Sequence, residues 1–338
     1  MRGQKIMKRP LQKITALALL AAGIVVAIST APVRRAFAAT LSNSVIGLFP
    51  KDVGEFAYAD LKTARGFPWF SQLREQLLPS RFRQFEQFLT SAGIDPNAQV
   101  DELAWAGITT AKGNGEEIVG VALGSFDPST SEAHFKQQKL PMVEVRGYHL
   151  YAFGSGVAAN DILFLFLDSN TAAFGHRPAL EKLIDVRAGV ADTLLTNDQI
   201  YPLINETNGK GLIWAVLDQG YTHLAMTQLV PQASQIQQAA TIINRMHAMT
   251  ISVQADTSVD IRFQAVCDSS DDANTLGAAL QLAVMYQHHQ DAQTNPALSA
   301  MLDSIHITPA GDRIKIDAPV TQDQLMSLIR TKAFAAPQ

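Results

Sequence analysis

Three observations predict an α+β fold of largely antiparallel sheet with helices packed on one face. Strand-like runs are mostly joined by short turns rich in Gly, Asn and Asp, which make hairpins rather than parallel crossovers. Between the hairpins stand stretches with apolar residues three and four apart, the spacing of one helical face. The order strand, long helix, hairpin, helix, hairpin, helix also occurs twice, with one extra hairpin in the first copy. Two similar modules, residues 39–190 and 191–335, are therefore expected to follow an N-terminal apolar export or anchor helix in residues 1–38.

The N-terminal segment begins with Arg2, Lys5, Lys8, Arg9 and Lys13. An uncharged run of 18 residues then starts at Ile14 and ends at Ala31. Pro32, Arg34 and Arg35 follow, then Ala36, Phe37 and Ala38, a small-x-small site before Ala39. Basic start, apolar run and cleavage site are the parts of a bacterial export signal. The run is long enough to span a bilayer, which fits a retained anchor, whereas the Ala36–Phe37–Ala38 site fits cleavage. Both outcomes stay open. The excess of cations before the run keeps the N-terminus inside and sends the rest across, to the periplasm or the outer face of the inner membrane.

Seven of the 27 Lys and Arg residues and none of the 31 Asp and Glu residues lie in the first 38 positions, so the remainder carries 20 against 31, a formal charge of −11. An acidic exported domain is a poor match for nucleic acid. Cys267 is the only cysteine, which excludes an intrachain disulfide. Its place in an apolar strand pattern reads as a small buried hydrophobe.

In the first half, strands are expected at 56–60, 103–110, 118–123, 142–146, 149–153, 162–167 and 171–174. Phe70, Leu73 and Leu77, then Phe82, Phe85 and Phe88, lie on helical faces, with Pro79 dividing them. A short helix fits 129–138, and Pro178 opens another at the first-turn position proline tolerates. In the second half, strands are expected at 212–217, 249–254, 259–266, 305–308 and 313–317. A helical region over 222–246, interrupted by Pro231, carries Ile236, Ala239, Ile243 and Met246 on its apolar face. Ser270 is read as the cap of a helix reaching about Gln290, and Thr321 as the cap of a last helix carrying Leu325, Leu328 and Ile329. The strand 212–217 runs into Asp218 as the first strand ends in Asp60.

No motif reads as a catalytic, cofactor or metal site. Gly113-Asn114-Gly115 is a hairpin turn with no helix behind it to hold a phosphate. Ser155 lies between Gly154 and Gly156, but the first glycine of a nucleophile elbow is missing. Asp95, Asn97, Gln99 and Asp101 alternate as in a calcium loop, yet Val100 stands where that loop needs glycine and Ala106 where it needs glutamate. His288 and His289 diverge by about 100° on a helix and cannot share a metal as an i, i+4 pair does. His149 reads as a packed strand residue. The aromatic group Phe67, Trp69 and Phe70, around Pro68, is either a staple onto the sheet or a contact for a partner.

The segments LFPKDVGEFAYADL, GIDPNAQVDELAWAGI, GSFDPSTSEAHFKQQ and LDSNTAAFGHRPALEKLI resemble those of a diffuse group of exported bacterial proteins, domain of unknown function 3352. The resemblance spans most of residues 46–335. It implies an envelope location and an α+β repeat, and it supplies no catalytic residue. The expected function is a non-enzymatic binding or scaffolding module of the cell envelope. Its partner would be an envelope protein or an apolar ligand, with membrane anchoring through Ile14 to Ala31 where that segment is retained. A carrier of an apolar small molecule or lipid is the alternative, and a hydrolase assembled from distant residues the second.

Overall fold

The computed structural model describes residues 39–67, 80–91, 93–109, 116–158, 161–229, 243–255, 259–291 and 296–321. The N-terminal run, Trp69, Phe70, the turns expected at 112–115 and 256–258, and the helix expected after Thr321 lie outside them.

Among the described residues, twelve strands form one antiparallel sheet. They are β1 (Glu55–Asp60), β2 (Val100–Thr109), β3 (Glu116–Gly124), β4 (Met142–Val145), β5 (Tyr148–Phe153), β6 (Ile162–Phe166), β7 (Thr171–Gly175), β8 (Ile213–Leu217), β9 (Met246–Ala255), β10 (Val259–Cys267), β11 (His306–Ala310) and β12 (Arg313–Val320). The spatial order is β11-β12-β10-β9-β8-β1-β2-β3-β7-β6-β5-β4. The two halves of the chain meet where β1 pairs with β8, Ala57 opposite Ala215. Outward from this seam the order is β1-β2-β3-β7-β6 on one side and β8-β9-β10-β12-β11 on the other. The extra hairpin, β4–β5, stands at the far edge of the first half. Its turn, Arg146-Gly147, has φ of 48° and 81°. Positive φ at both turn residues matches the twist of a two-residue hairpin.

One row of directly paired residues crosses every strand: Met142, Tyr151, Phe164, Phe174, Gly120, Trp105, Ala57, Ala215, Ile251, Phe263, Ile316 and Ile307. Side chains alternate along a strand, so this whole row lies on one face, here the far face. It is aromatic at four of seven positions in the first half and aliphatic at four of five in the second. Gly120 leaves room for the Phe174 ring, since a Cβ there would lie 2.2 Å from it.

The helices are α1 (Asn43–Ile46), α2 (Leu61–Ala64), α3 (Ser80–Ser91), α4 (Pro96–Gln99), α5 (Pro128–Gln137), α6 (Arg177–Arg187), α7 (Tyr201–Thr207), α8 (Gln219–Leu229), α9 (Ser270–Asp291) and α10 (Pro296–Asp303). They lie on both faces of the sheet, which corrects the expectation of a single covered face. On the near face, Leu180, Leu183 and Ile184 of α6 and Ile204 of α7 join Phe56, Tyr58, Val119, Val121, Leu163, Leu165 and Trp214 in the largest core cluster. On the far face, Phe85 of α3 and Phe135 of α5 pack with Tyr151 and Phe164. Farther along that face, Tyr221 and Ala225 of α8 cover Leu217 and Ile251. Ala273 and Leu276 of α9 cover Ala265, Cys267 and Ile314. The uninterrupted apolar run of β6 is what burial on both faces requires.

Three local expectations are corrected. Met246, placed on a helical face by its spacing, begins β9. Ser269 rather than Ser270 caps α9: its Oγ accepts from the Asp272 N–H at 3.2 Å and donates to the Asp272 carboxylate at 2.6 Å. Residues 296–303, left without an element, form α10.

Candidate functional site

The polar residues singled out in the sequence are dispersed, and most have a local partner. The Ser155 hydroxyl donates to Asp161 Oδ2 at 2.7 Å, closing the loop between β5 and β6. His149 Nδ1 lies 3.2 Å from Glu132 Oε2, which also accepts from the Tyr151 hydroxyl at 3.1 Å. Burial first, and then Glu132, push the Tyr151 hydroxyl up to about 12. Cys267 is buried, and burial pushes its thiol up to about 11, with Asp272, Asp268 and Asp312 adding to the shift. Such a thiol is a poor nucleophile. His288 Nε2 sits 3.2 Å from Asp303 on α10. The calcium-like alternation is taken apart: Asp95 caps α4 through the Asn97 N–H, and Asp101 pairs with Lys62 at 2.8 Å. Among the described residues no group of three or more His, Cys, Asp or Glu is placed to hold a metal ion. Phe67 is half-buried just after α2, and its N–H donates to the Ala64 carbonyl. Trp69 and Phe70 lie outside the described residues.

A surface that the sequence reading missed emerges from the ladder. Counting outward from Ala57–Ala215, the near-face residues Val119, Val121, Ala173, Leu163 and Leu165 of the first half occupy the positions of Arg262, Gln264, Lys315, His306 and Thr308 in the second. The first set is buried under α6. In the second set Arg262, Lys315, His306 and Thr308 are exposed. Arg262 Nε lies 3.3 Å from Asp317 Oδ1, with each side chain about half exposed. At the inner margin of this open face, Arg313 donates two bonds to Glu206 of α7, at 2.8 and 2.7 Å. Arg313 holds the Glu206 carboxyl below its ordinary value. β10, β12 and β11 thus present a mixed-charge, solvated sheet face about three strands wide. The signal was the alternation Val259, Asp260, Ile261, Arg262, Phe263, Gln264, which leaves one side polar.

Buried and half-buried acids mark the seam. Asp60 caps α2 through the Thr63 N–H and hydroxyl, and Asp218, its ladder counterpart, accepts from the Tyr221 N–H at 2.8 Å. Burial raises the Asp218 carboxyl above its ordinary value, against the opposing effects of the Tyr221 and Gly220 N–H groups and of His223. Glu55, also buried, lies on the far face between Leu217 and Gly107.

The other unusual surface is on α9. Its buried side carries Ala273, Leu276 and Gly277, and Gly277 packs on Pro309. Its outward side carries Leu282, Met285 and Tyr286, which are 66, 67 and 66% exposed.

No family model and no curated protein sequence matches the chain. Among solved structures, three crystal forms of TP0453 are similar in fold, each with a TM-score of 0.47. Crystal form I is 12% identical and covers 88% of this chain and 98% of its own. Form III is 12% identical with 85 and 98% covered, and form IV is 11% identical with 85 and 96% covered.

Proposed function

We propose that this chain is an exported cell-envelope protein that acts as a binding or scaffolding module, built from two α+β repeats joined at β1 and β8. Export is supported by the basic start, the apolar run from Ile14 to Ala31 and the small-x-small site ending at Ala38. One observation carries the binding reading: the near face of β10, β12 and β11 is open and polar where the matching face of the first half is closed by α6. An extended open sheet face with charges of both signs suits a protein partner, because paired charges add orientation and discrimination to contact area. Phe67, Trp69 and Phe70 form the second proposed contact.

A photo-crosslinking residue in place of Lys315, in cells producing the full chain, is expected to capture one discrete envelope protein. The same residue at Val157, which is 89% exposed on the first half, should not. Equal yields at both positions would sink the binding reading. A reporter active only outside the inner membrane, fused at Gln338, should be active. Signal from a cytoplasm-only reporter there would sink the export reading.

A further inference from the structure

We propose that the C-terminal end of α9 rests in a lipid bilayer surface, with Leu282, Met285 and Tyr286 as the inserted residues. This rests on the export reading above and takes the outcome in which the segment Ile14 to Ala31 is retained as an anchor. A helix with apolar residues on both sides is normally buried all round. Here one side meets the sheet and the other meets solvent. Gln281 Nε2 donates to the Ile307 carbonyl at 3.0 Å, so Gln281 lies level with Ile307 of the edge strand. β11 begins only one residue beyond that level, at His306, whereas α9 continues to Asp291. The last ten residues of the helix therefore run about 15 Å past Gln281 along its axis.

The chain's first described residues stand at the same end of the sheet. Leu41 is clamped by Asn208, whose Oδ1 accepts from the Leu41 N–H at 2.9 Å and whose Nδ2 donates to the Leu41 carbonyl at 2.8 Å. Asn208 leads through Gly211 and Leu212 into β8, whose first residue, Ile213, pairs with Val253. Val253 pairs with Ile261 and Ile261 with Ala318, which lies beyond His306's partner Asp317 on the same side. Four strand spacings, about 19 Å, separate β8 from β11. Residues 32–38, between the apolar run and the described chain, span at most about 25 Å when extended. An anchor at Ile14 to Ala31 would thus hold this end of the sheet, and not the end bearing Val157, next to the bilayer.

The chemistry of the stripe agrees. Tyr286 offers an apolar ring with a polar tip, the combination favoured at the headgroup boundary. The neighbouring Gln281, Gln287 and His289 add no carboxylate to the stripe. The remainder of the chain is acidic, so a zwitterionic surface suits it better than an anionic one.

The test uses the full chain with Cys267→Ala, labelled with an environment-sensitive dye at Met285→Cys or Val157→Cys. Each form is reconstituted with phosphatidylcholine vesicles carrying a shallow nitroxide quencher. A label about 5–10 Å inside the boundary should be quenched roughly threefold more at 285 than at 157. Leu282→Asp should remove most of that difference while leaving flotation with the vesicles intact. Flotation with equal quenching at 285 and 157 would overturn this proposal alone. Failure to float at all would overturn both it and the anchoring reading. A blue shift at 285 that grows with protein concentration in the absence of lipid would assign the stripe to a second copy of the chain and overturn the proposal.

Discussion

On one side of the seam, Val119, Val121, Ala173, Leu163 and Leu165 close a core with α6. At the same ladder positions on the other side stand Arg262, Gln264, Lys315, His306 and Thr308. The backbone pairing is the same, so the difference lies in what each face is asked to meet. The first half has both faces buried, and its near-face core runs on across the seam to Ile204, Trp214 and Val216. The second half keeps its far face dry under α8 and α9 and leaves the near face of its outer strands to water. A pairing pattern can thus be kept while the chemistry of one face changes, because successive side chains point to opposite faces.

Exchange of residues between ladder counterparts tests this comparison, and the largest effect is expected where charge enters the closed core. Ala173→Lys should destabilise by about 4 kcal/mol or more, since an unpaired ammonium would be buried under α6. The reciprocal Lys315→Ala should stay within about 0.5 kcal/mol, as surface changes do. Urea unfolding of the pair reads both, and similar losses would break the comparison. An intermediate effect is expected on the far face. Gly120→Ala should cost about 1–3 kcal/mol, because the added methyl group meets the Phe174 ring. Adding Phe174→Leu to Gly120→Ala should recover part of that loss in thermal unfolding, and no recovery would point away from the ring as the cause.

The smallest effect concerns the seam acid. Burial raises the folded-state carboxyl of Asp218 above its unfolded value. Its contribution to stability is therefore full below the unfolded value and is lost as pH rises through the folded one. Asp218→Asn keeps a capping side chain but removes the titration. The variant should gain stability relative to wild type as pH rises across and just above the carboxylate range. A constant difference over that window would remove burial as the dominant influence on Asp218.

Much of this was legible from periodicity. The β4–β5 hairpin, Pro178 at the start of α6 and the strand-to-Asp steps at Asp60 and Asp218 follow from local chemistry. Helices on both faces were missed, although the run Ile162 to Phe166, apolar without interruption, is what a strand covered on both sides requires. The seam was not legible. Ala57 and Ala215 carry no signal of their own, and pairing across 158 positions leaves no local pattern. Met246 misled because its spacing from Ile243 suits a helix as well as a strand start. The outward stripe of α9 was hidden because Leu276, Leu280 and Val284 already supplied the expected buried face.

The open near face of the second half is tested most directly by thiol accessibility at one pair of ladder counterparts. In Cys267→Ala background, purified chains carrying Lys315→Cys or Ala173→Cys would be exposed to a water-soluble maleimide under native conditions. The Cys at 315 should react at close to the rate of an unfolded thiol, and the Cys at 173 at least about 100-fold more slowly, limited by local opening. Equal protection at the two positions would contradict an open face, and equal reactivity would contradict a closed one under α6.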